Sequence, residues 1–157
     1  MTLTIKAAPV RKAIMVNVPA EVAFERFVSR IGTWWPAAYS IGGSPQKSVV
    51  IEPRAAGRWF EIGEDGSECD WGEVLAWEPP DRLVLAWRIG ADWRFDPNLL
   101  TEVEVRFHPA DASSTRVELE HRLLENMGAT AEAARASFES EQGWSGVLAS
   151  YAAAASD

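Results

Sequence analysis

Charge alternates with apolar side chains most regularly in two segments, Thr101–His108 and Thr115–Leu123. Val103, Val105 and Phe107 share one side of the first, with Glu102, Glu104 and Arg106 on the other. Val117, Leu119, His121 and Leu123 oppose Arg116, Glu118, Glu120 and Arg122 in the second. A period of two is the mark of a strand with one dry face, and the charges fix which face is wet. The segment Arg82–Ile89 follows the same rule, with Leu83, Leu85, Trp87 and Ile89 inward. Further strands are predicted over Val10–Val18, Lys47–Glu52, Arg58–Ile62 and Cys69–Trp77, separated by Asp-Gly and Pro-Pro turn signals.

Two of these strands do not divide cleanly. In Arg58–Ile62, placing Phe60 and Ile62 inward leaves Trp59 and Glu61 outside. In Cys69–Trp77, turning Val74 and Ala76 inward carries Asp70 with them and leaves Trp71, Leu75 and Trp77 out. A bulge would change either assignment.

The period shifts to helical spacing at both ends of the strand run. Ala23, Phe24, Phe27, Val28 and Ile31 give a short amphipathic helix over residues 19–30, followed by a second turn at 31–36. Residues 130–139 form another helix. A longer one is predicted from near Ser140 to about Ala155, with Trp144, Val147, Leu148 and Tyr151 on one stripe. The order is a strand, two short helices, six consecutive antiparallel strands and a long helix, an α+β pattern. The last helix is the sizeable cover available for the apolar sheet face.

Composition then narrows the function. The formal net charge of -8 argues against a nucleic-acid partner and against an anionic membrane surface. No apolar run is long enough to span a bilayer, no signal segment opens the chain, and the single cysteine, Cys69, forms no intrachain disulfide; the expected compartment is the cytoplasm. Eight tryptophans in 157 residues are the unusual feature, and rings of this size either fill a core or line a pocket.

Candidate chemistry is sparse. His121 falls on the dry face among apolar neighbours, where a neutral imidazole can orient a ligand or bond to the core. Asp70 and Glu61 are the carboxylates to pair with it. Cys69, His121 and Asp70 lack metal-ligand spacing, and there is neither a phosphate-binding glycine loop nor a Gly-x-Ser-x-Gly elbow, so no metal and no cofactor are expected.

The stretch from Gly57 to Ile89, with Val18-Pro-Ala-Glu-Val22, Glu118-Leu-Glu-His121 and Gly143-Trp144, resembles the START-like (SRPBCC) superfamily. Within it, the chain is similar to proteins related to the activator of the heat-shock-protein-90 ATPase. The resemblance implies a helix-grip fold, in which a curved antiparallel sheet wraps the C-terminal helix around a cavity. It implies one such domain over residues 1–157, with residues 1–9 a candidate flexible N-terminus. The expected cavity residues are Trp35, Phe60, Asp70, Trp87, Phe107, Leu119, His121, Trp144, Leu148 and Tyr151. Three functions compete. One is binding of a small hydrophobic or aromatic molecule. Another is cyclase- or hydrolase-like chemistry at His121 with Asp70 or Glu61. The third is a protein partner or homodimer contact through exposed Trp59, Trp71 or Trp77.

Overall fold

The computed structural model describes residues 7–156. Among these, β1 (Val10–Val16) leads to α1 (Ala20–Ser29) and α2 (Ile31–Trp34). Six strands follow: β2 (Gln46–Ile51), β3 (Arg58–Gly63), β4 (Glu68–Glu78), β5 (Arg82–Trp87), β6 (Thr101–Asp111) and β7 (Ser114–Arg122). A 3-10 stretch (Leu124–Thr130), α3 (Ala131–Glu139), a π turn (Glu141–Ser145) and α4 (Gly146–Ala155) complete the chain. The strands form one antiparallel sheet in the order β1-β7-β6-β5-β4-β3-β2. The two helices after β1 carry the chain to the far edge, and β2 to β7 then return to β1 as a meander.

The helices pack on the concave face. Phe24 and Phe27 of α1 meet Phe107 edge-on at 5.1 and 5.8 Å between ring centroids, and Phe27 meets Tyr151 of α4 at 5.0 Å. Tyr151 Oη donates to the Ala23 carbonyl at 2.7 Å, and the Arg26 guanidinium donates to the Ala155 carbonyl, so α1 and α4 are bonded as well as packed. Phe107, Leu119, Leu148 and Tyr151, expected around a cavity, belong to this filled half of the core. The reason is α1: its phenylalanines occupy the space that the sequence pattern assigned to the C-terminal helix alone.

Of the candidate flexible N-terminus, residues 1–6 lie outside the described residues. Ala7 is buried, and Arg135 Nε donates to the Ala8 carbonyl at 2.8 Å.

On β5, β6 and β7 the inward sets are as the alternation requires: Leu83, Leu85, Trp87, Val103, Val105, Phe107, Val117, Leu119 and His121 are all buried. Leu123 leaves β7 with φ of 64°. On the convex face, burial opposes ionisation of Glu104, but Arg82, Arg122 and Arg106 outweigh it and hold the carboxyl at about 2.

β3 and β4 reverse the expected facing. Trp59 and Glu61 point inward, and Phe60 lies on the convex side, beneath the Arg58 guanidinium at 4.0 Å. Asp70 is also convex and pairs with Arg58 at 2.7 Å. The cause is register. Trp59 opposes Gly72 while Phe60 opposes Asp70, which leaves Trp71 as the extra residue of a bulge. Val74 opposes Leu85 while Ala76 opposes Val84, which makes Leu75 a second extra residue. Each bulge flips the parity of β4, so Trp71, Val74 and Trp77 reach the concave side at every third position. Trp71 is buried, and Trp77 packs on Phe24 at 5.1 Å. Of the tryptophans expected at an exposed interface, Trp59 and Trp71 are core, and Trp77 is partly buried against Phe24.

Gly72 makes the first bulge feasible. A Cβ there would lie 1.7 Å from the Ala86 carbonyl oxygen of the neighbouring strand. Gly72→Ala is expected to destabilise the protein by about 3 kcal/mol or more, because backbone rather than a side chain must give way. Chemical denaturation measures this, and a loss below about 1 kcal/mol would show that the strands can separate there at little cost.

Candidate functional site

The concave face is filled at the α1 end and open at the other. There, Trp35, Trp59, Trp71, Trp87 and Trp144 form one cluster, with Trp35–Trp71 at 5.0 Å and Trp87–Trp144 at 5.7 Å. A cavity of about 220 Å³ lies against it and opens to solvent. Its walls are Trp35, Tyr39, Trp87, Trp93, Phe138, Trp144 and Val147, with Ser137, Ser140, Gln142 and Gly143 along one rim. None of these described lining residues is Asp, Glu, Lys, Arg or His.

The rim exists because the C-terminal helix is broken. Gly143 has φ of -92° and ψ of -132°, outside the helical region. A Cβ on it would meet the Phe138 and Ser137 carbonyl oxygens at 2.3 and 2.4 Å. This glycine lets the π turn fold against the end of α3, and α4 proper begins only at Gly146. The predicted continuous helix from Ser140 is thus two elements, and Trp144 sits in the junction rather than on the α4 stripe. Interrupted helical turns of this kind recur at functional sites.

Three of the four indoles lining the cavity spend their N–H groups away from it. Trp35 Nε1 donates to the Tyr39 carbonyl, and Trp87 Nε1 to the Ile89 carbonyl, both at 3.0 Å. Trp144 Nε1 donates to His121 Nδ1 at 3.1 Å. Hydrogen bonding thereby fixes the ring planes and leaves carbon surface facing the cavity.

His121 stands behind this wall with no exposed surface. An indole N–H only donates, so Nδ1 must accept and the proton of the neutral ring sits on Nε2. Nε2 lies 2.8 Å from Thr101 Oγ1, and that hydroxyl donates to the Trp87 carbonyl at 2.9 Å. The relay Trp144–His121–Thr101–Trp87 is complete, and it braces the two tryptophans from behind. The anticipated His121–Asp70 pair does not form, because Asp70 is on the opposite face with Arg58. Nor does Asp70 or Phe60 line the cavity.

Glu61 is the other buried polar group, 1 % exposed. Its carboxylate accepts from Ile41 N–H at 2.6 Å, Gly42 N–H at 3.1 Å, Trp71 Nε1 at 3.0 Å and the Ser40 hydroxyl at 2.5 Å. It pins the loop after α2 to the sheet and has no route to the cavity. Tyr39, on that loop, donates its hydroxyl to the Gln142 carbonyl and closes the wall against the π turn.

Trp35, Trp87 and Trp144 are the predicted cavity residues that the structure brings together around the opening. Tyr39, Trp93, Phe138 and the polar rim were missed, since they lie on loops and helix ends where alternation carries no information. Trp93, a tryptophan in a loop between Gly90 and Pro97, was the available signal.

Two outcomes follow from the relay. Burial pushes the His121 imidazole down to about 3. Below about pH 6.5 the unfolded chain takes up a proton that the folded chain refuses. His121 therefore lowers stability as pH falls from about 6.5 towards 3, by at most about 1.4 kcal/mol per pH unit. Long-range proton–nitrogen NMR should show the Nε2–H tautomer and no His121 titration above pH 5, and His121→Asn should flatten the acid limb of the stability curve. A His121 titration near pH 6.5 would contradict the buried relay. Separately, Trp144→Ala should cost about 3–5 kcal/mol. Trp144→Phe should cost about 1–3 kcal/mol, since His121 Nδ1 then lacks its donor. A loss below about 0.5 kcal/mol for Trp144→Phe in denaturant would mean that the hydrogen bond contributes nothing.

Comparison with known proteins places this architecture. No curated protein matches the chain. Among solved structures, the anthrahydroquino-gama-pyrone synthase Txn09, complexed with SUM, is 34% identical over 95% of this chain and 97% of that one, with a TM-score of 0.66. The self-sacrificing resistance protein CalC from Micromonospora echinospora is 31% identical over 94% and 93%, with a TM-score of 0.68. The Aha1 dimer of Colwellia psychrerythraea shares the fold at 12% identity over 96% and 97%, with a TM-score of 0.62. No helix among the described residues is long and apolar enough to cross a membrane. The curled seven-stranded sheet with its C-terminal helix is the helix-grip fold. The family model for activator of Hsp90 ATPase homolog 1-like proteins matches residues 17–155, and the chain belongs to that family.

Proposed function

We propose that the chain binds an uncharged, flat aromatic molecule in the tryptophan-lined cavity. The observation that carries this reading is the chemistry of the wall. Its three buried indoles, Trp35, Trp87 and Trp144, present carbon surface, and none of the described residues lining it carries a formal charge. A charged ligand group would lose its hydration there without gaining a partner. An aromatic ring gains offset or edge-on contact with several tryptophans at once. About 220 Å³ holds about two or three fused rings, at the small end of ligand sites. Ser137, Ser140 and Gln142 supply hydroxyl and amide groups along one rim, which suits a ligand with oxygen substituents along one edge. The relatives above 30% identity support the reading, one of them named for making an anthrahydroquino-pyrone.

That relative also favours a second reading, cyclase-like chemistry. Under this reading such chemistry rests on shape. Among the described residues lining the cavity, Tyr39 alone has a titratable side chain, and its hydroxyl donates to the Gln142 carbonyl. The cavity would hold a reactive chain in its folded form while His121, sealed behind Trp144, takes no part.

Titration with 1,8-dihydroxyanthraquinone should quench tryptophan fluorescence saturably, with a Kd in the micromolar range. Anthraquinone-2-sulfonate should bind about tenfold more weakly or worse, because no cation receives the sulfonate. Equal affinity for both, or a linear unsaturated response, would sink the binding reading.

A further inference from the structure

A second, smaller cavity of about 120 Å³ adjoins the first. Trp87, Trp93, Ser137 and Phe138 line both. The two are thus neighbouring lobes of one cleft, with these four residues on their common boundary. The outer lobe is completed by small residues, Gly90 and Ala91 on the loop and Ala133 and Ala134 on α3.

Trp93 differs from the tryptophans of the wall. The residue is 48% exposed, while Trp35, Trp87 and Trp144 are buried. Its indole N–H makes no hydrogen bond within the described residues, whereas theirs are all engaged. Its backbone has φ of 59°, a left-handed conformation uncommon for a bulky side chain. The loop holds that conformation firmly. Trp93 N–H donates to the Gly90 carbonyl and Gly90 N–H to the Arg94 carbonyl, both at 3.0 Å, and Asp96 N–H donates to the Arg88 carbonyl at 2.8 Å. The backbone is fixed, and no hydrogen bond restrains the ring.

We infer that Trp93 is the movable wall of the site: its ring closes over the exposed face of a bound ring system and joins the two lobes, which makes it the residue that selects large planar ligands over small ones. The inference rests on the aromatic-ligand reading above and assigns its size selectivity. A two-ring ligand fits the inner lobe and takes its contacts from Trp35, Trp87 and Trp144. A three-ring ligand reaches the rim, where Trp93 supplies its outer stacking partner.

The test compares two uncharged probes, 1,8-dihydroxyanthraquinone and 2-naphthol, on wild type, Trp93→Ala and Trp93→Phe. Removing the ring should weaken the anthraquinone by about tenfold and naphthol by less than about threefold, and phenylalanine should restore most of the difference. Because Trp93 is about half exposed and its ring makes no hydrogen bond among the described residues, thermal midpoints should differ little among the three proteins, which separates binding from folding. With 5-fluorotryptophan incorporated, the fluorine resonance missing from Trp93→Phe identifies residue 93. It should shift on adding the anthraquinone and lose its solvent isotope effect. Unchanged anthraquinone affinity in Trp93→Ala, or equal losses for both probes, would overturn the inference and leave the binding reading standing. A wild type that binds naphthol but not the anthraquinone would overturn the inference and the binding reading together. A wild type that binds neither probe would overturn both.

Discussion

The open half of the molecule depends on how one buried carboxylate is satisfied. Glu61 lies under the sheet's concave surface without a cation, so its charge is balanced by donors: two loop N–H groups, a hydroxyl and the Trp71 indole. An anion withdrawn from water is tolerated only when its lone pairs are filled in this way. Filling them draws the loop after α2 across the end of the sheet. The same loop then accepts the Trp35 N–H through the Tyr39 carbonyl and reaches the π turn through the Tyr39 hydroxyl. One wall of the cavity and the orientation of two tryptophans therefore follow from one glutamate.

That glutamate also explains where the sequence misleads. On β5, β6 and β7, every charged side chain is on the convex face, and alternation is a sound guide. On β3 the same rule puts Glu61 outside and Phe60 inside, and both are wrong. Phe60 is covered on the convex side by the Arg58 guanidinium, so its burial requires no core position. Bulges compound the error on β4, because a single extra residue inverts the parity of everything after it. Gly72 is the trace they leave in the sequence, yet a glycine in a strand does not reveal that a carbonyl from the next strand occupies its Cβ position.

The site was legible to a different degree. Trp87 and His121 come directly from alternation, and Trp144 from the helical stripe, but their roles do not. His121 reads as a ligand-facing base because it is the polar member of an apolar row. In three dimensions both ring nitrogens are committed, one to Trp144 and one to Thr101. Periodicity gives a direction, inward, and not a depth; the difference between lining a cavity and bracing its wall is one layer of side chains. The helix break at Gly143 shifts the opening towards α3, and with it come Phe138 and the serine rim.

A cavity whose three buried indoles are hydrogen-bonded to the protein has given up directional recognition through them. What remains on its surface is shape and polarisability, and these discriminate weakly between ligands of similar outline. Directional selectivity must then come from the groups left free at the mouth. These are the Ser137 hydroxyl and the Gln142 amide, which read substituents, and the loop that carries Trp93, which reads extent. The rigid half, braced by the His121 relay and by Glu61, and the adjustable half, at the junction of α3 and α4, divide the task of binding between them. Change in ligand preference within such a framework requires only rim and loop substitutions, since neither buried network touches the groups that would be exchanged.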